Sequence, residues 1–300
     1  MYRREHLLHR RLAELSGSIE CLGYDACPGP GGLLYNIDGY HEDYSRYPFM
    51  SRADWAYRAV VASAADVIAS GGRPLAVMYS VGVELEAHAL EVARGVGEAA
   101  RDLGVVVLKS DYNRGRGSWI DVASIGSTSR PVSRKGASPG DVLLQAGYLG
   151  YGLLERLVAE NIVGIDEALN VSGFLRRLPP RVEGIVSGYA TASSDNSDGW
   201  AATLWGIAEY SGVRVIVEEV HPDPTVGSIV GRAGVSREAI WLESWEDYNI
   251  ALTVREDEAE DALEDCGRAG VPCWIIGRIA EGDPQVVYKG RVVTGGWSWV

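Results

Sequence analysis

The order of apolar and polar positions along this 300-residue chain switches repeatedly between a helical period and a strand period. Residues 4 to 15, "REHLLHRRLAEL", space their leucines as a helix. "LLYNID" (33 to 38) alternates as a strand, and residues 53 to 70 form an almost wholly small and apolar helix closed by Gly71 and Gly72. "LAVMYSVGV" predicts a strand, residues 85 to 103 an amphipathic helix, and "VVVLKS" and "WIDVASIGS" two further strands. After "SRKGASPGD" (133 to 141) come the strand "VLLQAG", a helix near 151 to 160 and the strand "GIVSGYA". A helix from about 198 to 211 and the strands "RVIVEE" and "NIALTV" follow. The Gly- and Pro-bearing segment 133 to 141 is the best domain boundary, and the two halves share one alternation. The class is a mixed α and β protein.

The helix 53 to 70 contains one anomaly. Asp66 sits inside "VASAADVIASGGRP", where a buried carboxylate costs several kcal/mol unless a cation or a hydrogen-bond donor meets it. A bound metal would meet it. So would a salt bridge to Arg73 or Arg58, and periodicity leaves both open.

Composition narrows the partners. Lys and Arg number 28 against 41 Asp and Glu, a net charge of −13, so an anionic nucleic acid or membrane surface finds nothing to attract it. No apolar run approaches a membrane span, and the charged N-terminal segment is unlike a signal peptide, so the expected location is the cytoplasm. Cys21, Cys27, Cys266 and Cys273 lack metal-ligand spacing and are expected to be buried thiols. Arg exceeds Lys, and Gln occurs only at 145 and 285, a depletion that fits a heat-loving source. Cytosolic disulfides do occur in such organisms.

Further aspartates stand where strands end or helices begin: Asp25, Asp38, Asp111, Asp195 and Asp198. Each alone reads as a turn or cap, and Ser197 or Asp198 is the expected cap of the helix that follows. Asp66 cannot be one. Hard cations such as Mg²⁺ take oxygen ligands from a few carboxylates while phosphates complete the shell, so this set suits multi-metal phosphoryl transfer. The familiar nucleotide and hydrolase patterns are missing: there is no G-x-x-x-x-G-K-[ST], no H-E-x-x-H and no G-x-S-x-G. "GYLGYG" (147 to 152) and "GPGG" (29 to 32) are turns that could approach a phosphate. "LESWEDYNIALTV" sets Glu246, Asp247 and Tyr248 as a polar and aromatic pocket wall, and Trp297 and Trp299 as packing or ligand-covering aromatics near the chain end.

Taken in order, these segments resemble the thiamine-monophosphate kinase family, within the PurM-like superfamily of aminoimidazole ribonucleotide synthetase. "GYDACPGPGG" is similar to the family's G-D-D-A stretch, "NIDGY" to its T-D strand end, and "VASAADVIASGGRP" to its V-N-L-S-D-x-A-A-M-G-A-x-P helix. "LKSDYNRG" is similar to G-G-D-T-T-R-G, "SRKGASPGD" to R-x-G-A-x-P-G-D, "SSDNSDGW" to D-x-S-D-G-L, "WEDYNIALTV" to G-G-E-D-Y-E-L, and "GGWSWV" to K-G-Y-D-H-F.

The resemblance implies an α+β, two-domain PurM-like fold. Residues 1–132 would form an ATP- and metal-binding domain whose sheets join those of a second copy in a shared barrel, making a homodimer. Residues 133–300 would form an α/β sandwich-type domain completing the active-site cleft. It implies Mg²⁺ ligation by Asp25, Asp38, Asp66, Asp111, Asp195 and Asp198, and nucleotide contacts from Lys109, Asp111, Arg114 and Asp195. Asp198 and Arg114 would serve the transfer itself, and Trp245, Glu246, Asp247, Tyr248 and Trp297 the acceptor. The expected activity is an ATP- and Mg²⁺-dependent phosphotransferase acting on a small phosphorylated or heterocyclic acceptor. A PurM-like synthetase that activates an amide or carbonyl oxygen, or a non-catalytic nucleotide-binding relative, are the alternatives. Four departures stand in family positions: Tyr24 for an aspartate, Lys109 and Ser110 for paired glycines, Ser244 and Trp245 for another pair, and Trp299-Val300 for His-Phe. They predict an acceptor pocket that handles thiamine phosphate poorly.

Overall fold

The computed structural model describes residues 2–293; Trp297 and the terminal "GGWSWV" lie outside the described residues. Two sheets lie on either side of residues 128–141. The first joins β1 (Cys27–Pro28), β2 (Leu33–His41), β3 (Arg73–Val83), β4 (Val106–Arg114) and β5 (Trp119–Ser127) in the order β1-β2-β5-β3-β4. All its pairings are antiparallel except β3 with β4. The second joins β6 (Val142–Ala146), β7 (Ala190–Asp195), β8 (Arg214–Val217), β9 (Ile250–Val254), β10 (Cys273–Ala280), β11 (Gln285–Tyr288) and β12 (Arg291–Val292), in the order β12-β11-β8-β10-β6-β9-β7. This is a mixed α+β architecture.

The helix Arg52–Ala69 is the element on which both sheets depend. Ser51 and Asp54 form a capping box at its start, and every side chain from Ala53 to Ala69 is buried. Its alanines let strands approach closely: Ser63 Oγ lies 2.9 Å from Ser124 Oγ on β5. On its other side the helix Glu86–Leu103 crosses at Gly95, where a Cβ would stand 2.0 Å from the Ala53 carbonyl oxygen. Only glycine permits that contact. The helix's C-terminal end, Ile68 and Ala69, enters a second core with Leu144, Ile250 and Leu252 of the other sheet. A third layer covers that sheet's opposite face, where Leu153, Leu157, Trp200 and Leu204 pack on Leu143 and Ala251. With helices on both faces, β9 is buried at all five positions, which is why "NIALTV" shows no alternation.

The first sheet, by contrast, is covered on one face only. Leu34, Ile120 and Val122 face the helix, while Ile37 is 70% and Tyr35 43% exposed on the other side. Edge strand β4 is exposed along its whole length. No described helix is long and apolar enough to cross a membrane.

The sequence pattern fails in three places. "GIVSGYA" is not a strand: Glu183–Tyr189 is a helix, because Ile185 and Val186 find their cover on Ile68 and Ala69, and the strand begins only at Ala190. Neither Ser197 nor Asp198 caps the helix Trp200–Ser211, since Gly199 holds the N-cap position and no side chain bonds there. The four cysteines are not thiols but two disulfides, Cys21–Cys27 and Cys266–Cys273, with Cα atoms 5.1 and 6.2 Å apart.

Candidate active site

Alternation along β2 puts Asn36, Asp38 and Tyr40 on the helix-facing side, opposite the exposed Tyr35 and Ile37. Asp66 meets them from the helix. Its Oδ2 accepts a 2.5 Å hydrogen bond from Asn36 Nδ2, and the same amide donates to Asp38 Oδ2 at 3.0 Å. Neither Arg73 nor Arg58 pairs with Asp66; Arg58 is engaged by Glu155 and Glu246. β7 ends at Asp195, and the loop preceding β1 brings Asp25, so that carboxylate oxygens of Asp25, Asp66 and Asp195 all lie within 4.8 Å of one another.

Arg134 supplies the cation beside this cluster. Its Nη2 pairs with Asp25, whose side chain is 1% exposed, and its Nε donates to Ser194 Oγ at 3.1 Å. Ser197 Oγ donates to Asp195 Oδ2 at 2.6 Å. One guanidinium cannot compensate four carboxyls. Burial, followed by the charges of Asp38, Asp195 and Asp25, holds the Asp66 carboxyl well above the ordinary range. Burial and the neighbouring Asp25 push Asp195 up to about 8. Burial raises Asp25 and Asp38 as well, against the opposing pull of Arg134 on Asp25. A cluster of hard oxygen donors, buried and short of positive charge, has the chemistry of a divalent-cation site. It fits Mg²⁺.

The cluster lies in a cleft of about 1040 Å³ between the two sheets, lined also by Asp198, Trp245 and Glu246 and by Tyr40, Tyr44 and Tyr47. Glu246 and Trp245 reach it by an unusual path. Glu246 and Tyr248 both have left-handed backbone, φ 55° and 56°, which turns alternate side chains away from the cleft. Asp247 therefore points to the helix Tyr151–Ala159, accepting from Gly150 N at 2.6 Å, Gly152 N at 2.9 Å and Ser244 Oγ at 2.5 Å. Tyr248 is fully buried with its hydroxyl 3.3 Å from that of Tyr40. Neither belongs to the cleft wall. Trp245 does, and its backbone oxygen would lie 1.9 Å from a Cβ at Gly152, so the loop rests directly on that glycine. The Glu246 carboxylate ion-pairs with Arg58, which also holds buried Glu155 at 3.0 Å.

Lys109, Asp111 and Arg114 do not join the cluster. They stand on β4, separated from β2 by β3 and β5, and Asp111 bonds Asn113 Nδ2 at 3.0 Å and Ser80 Oγ at 3.4 Å among exposed residues. Three strand spacings, roughly 14 Å, divide them from Asp38. Within one chain, ligation by Asp111 beside Asp66 is ruled out by that topology. Sequence reasoning in turn missed Arg134 and Asn36. Arg134 looked like part of a polar linker; Asn36 was signalled by its two-residue spacing from Asp38.

Residues 24–128 match the family model described as AIR synthase related protein, N-terminal domain. A thiamine-monophosphate kinase of Pyrococcus horikoshii is 32% identical over 246 residues, 78% of this chain and 74% of that protein. A thiamine-monophosphate kinase of Pyrobaculum calidifontis is 30% identical, covering 89% of this chain and 87% of its own length. This chain belongs to the thiamine-monophosphate kinase family. It is accordingly an ATP-dependent kinase of PurM-like fold. A solved structure of AaThiL complexed with AMPPCP and TMP superposes with a TM-score of 0.85 over 97% of this chain and 95% of that one, at 23% identity, and shares its fold.

For a member of this kinase family, the raised carboxyls have a measurable consequence. The folded, metal-free protein retains a proton on Asp195, at about 8, that the unfolded chain, with an ordinary aspartate near 3.8, has lost. The folded state thus binds more protons between those limits, and its stability falls as pH rises through them. Thermal melts in chelator should show a melting temperature that declines from about pH 5 to about pH 8, and saturating Mg²⁺ should flatten the decline. A flat or rising profile in chelator would contradict the buried-cluster electrostatics.

Proposed function

We propose that this kinase transfers the terminal phosphoryl group of ATP to a small phosphorylated heterocycle of the thiamine monophosphate type, in the cleft between its sheets. The observation that carries the reading is the convergence of Asp25, Asp66 and Asp195 within 4.8 Å at a roomy, aromatic-walled cleft. The names of the two archaeal relatives support the acceptor class. Asp25, Asp38, Asp66 and Asp195 would hold Mg²⁺, which when bound neutralises phosphate charge and orients the transferring group. Arg134 offers a fixed cation beside the phosphates, and Asp198, just ahead of the N-terminus of the helix Trp200–Ser211, stands where an anion is favoured and can orient the attacking oxygen. Tyr40, Tyr44, Tyr47 and Trp245 form a wall on which a flat ring can stack.

A coupled ADP-release assay should show turnover that requires Mg²⁺ and thiamine monophosphate together, whereas weak or no turnover on that acceptor would bear out the poor handling that the departures at Lys109 and Trp245 predict. Asp66→Asn should abolish most of it while leaving the melting temperature of the metal-free protein unchanged or raised, because the substitution removes a carboxyl that its neighbours repel. Marked destabilisation with intact turnover would identify Asp66 as purely structural.

Trp245 replaces a glycine of the family pattern and narrows the acceptor end. Trp245→Gly should leave ATP affinity within about twofold, since the carboxylates lie on other segments, and change kcat/KM for thiamine monophosphate by about tenfold or more. An unchanged kcat/KM would remove Trp245 from the acceptor wall.

The open face of the first sheet and the exposed β4 suit a homodimer. Ile37, Val106, Leu108 and Tyr112 are 70%, 60%, 58% and 48% exposed there, and an uncovered edge strand invites pairing. Such a dimer would offer Lys109, Asp111 and Arg114 a cleft that their own chain does not. Light scattering at micromolar concentration should give about twice the 32.4 kDa chain mass; a single-chain mass would discard the dimer.

A further inference from the structure

Asp25 is the one carboxylate of the cluster that no regular element presents. Asp66 comes from the last turn of a buried helix, and Asp38 and Asp195 from strands of nine and six residues, whereas Asp25 stands between a one-turn 3₁₀ helix, Ile19–Cys21, and the two-residue strand β1. Tyr24 N turns back to Cys21 O at 3.1 Å, and two bonds anchor the loop to the rest of the protein: Ala26 N donates to Ser70 Oγ at 2.8 Å, and Arg134 N donates to Gly23 O at 2.7 Å. What closes it is covalent. Cys21 ends the 3₁₀ turn and Cys27 opens β1, so their disulfide ties the two ends of the stretch Leu22–Ala26, with Tyr24 and Asp25 at its centre. Both cysteines are half-buried, and with Asp25 and Tyr35 they line a pocket of about 290 Å³ that adjoins the main cleft and shares Cys21, Tyr24 and Asp25 with it.

Arg134 pairs with the Asp25 carboxylate, and Ser194 Oγ and Asp195 N donate to it at 3.4 Å each, but repulsion from Asp66 and Asp195 opposes these contacts and an irregular loop backbone is free to yield to that push. Cross-linking its ends restricts the loop to conformations that keep Asp25 in the cluster. We infer that the Cys21–Cys27 disulfide is a positioning clamp for Asp25, and that opening it lowers divalent-cation affinity at the active site. The clamp is reducible through the adjoining pocket. A dithiol attacking there would supply two electrons and two protons, break the Sγ–Sγ bond to leave two thiols, and depart as its own cyclic disulfide. The affinity of the active site for its cation would then follow the thiol–disulfide poise of the surroundings. This inference rests on the proposed metal role of Asp25. The second disulfide, Cys266–Cys273, ties a helix to β10 in the core away from the cleft and provides an internal control.

The test is a titration of the full-length protein with Mn²⁺ alone, standing in for Mg²⁺, with free Mn²⁺ read by electron paramagnetic resonance at a temperature where circular dichroism shows every variant folded. Cys21→Ser/Cys27→Ser should weaken Mn²⁺ binding about tenfold or more, the loss typical of removing a group that orients a metal ligand. Cys266→Ser/Cys273→Ser should bind within about twofold of the natural protein. Adding the Cys21→Ser/Cys27→Ser pair to Asp25→Asn should cost little beyond Asp25→Asn alone, because the clamp acts through that carboxylate. Should the serine pair not fold, the Cys266→Ser/Cys273→Ser protein, reduced with dithiothreitol and desalted without oxygen, should show the same tenfold loss, with thiol counting to confirm reduction. Unchanged Mn²⁺ affinity after opening the clamp, beside a clear loss in Asp25→Asn, would overturn the clamp and leave the metal role standing. Unchanged affinity in Asp25→Asn would overturn both. An undiminished further loss in the Asp25→Asn background would show that the disulfide acts on the fold at large, and would also overturn the inference.

Discussion

Like charges held out of water set the terms for this structure. Four carboxyls face one another with a single guanidinium, Arg134, beside them, and their mutual repulsion disfavours the bare ionised cluster. Folding has to supply the compensation from elsewhere. It does so in the large cores on both faces of the second sheet and in the burial of the helix Arg52–Ala69, which fixes the backbone that carries Asp66. A divalent cation would relieve it, and the repulsion that opposes folding would then become affinity for that ion.

The same helix organises the cleft from its other turns. Arg58 reaches across to Glu155 and Glu246, Arg176 reaches back from the second half to Asp54 at 2.7 Å and Glu98 at 2.8 Å, and the wall residue Trp245 follows Glu246. Breaking a buried ion pair strands a charge, so these links hold the sheets in register better than their net energy suggests. Trp245 and the carboxylate cluster are thus tied to one and the same helix.

Much of this was legible in the sequence. The lone Asp66 in an alanine-rich helix and the order of the aspartate motifs pointed to the carboxylate cluster before any coordinates, whereas Asn36 and Arg134 went unnoticed. What could not be read depended on three-dimensional context. Helical cover turned "GIVSGYA" from strand to helix, and left-handed backbone at Glu246 and Tyr248 sent Asp247 and Tyr248 out of the cleft. Strand order put Asp111 three strands away from Asp38 within its own chain, a separation that local pattern does not encode. The disulfides escaped because spacings of six and seven residues carry no pairing rule; only the turn preceding β1 and the helix preceding β10 bring those sulfurs together.

The burial of Arg52–Ala69 by both sheets also bears on inheritance. Segment 133–141 reads as a seam in the sequence, yet a chain cut there would strip Leu144, Ile250 and Leu252 of the helix end that covers them. The two halves are separate as patterns but share one interior. Neither could be exchanged for a foreign module or duplicated alone without exposing that interior, so the unit that recombination can move is the whole chain.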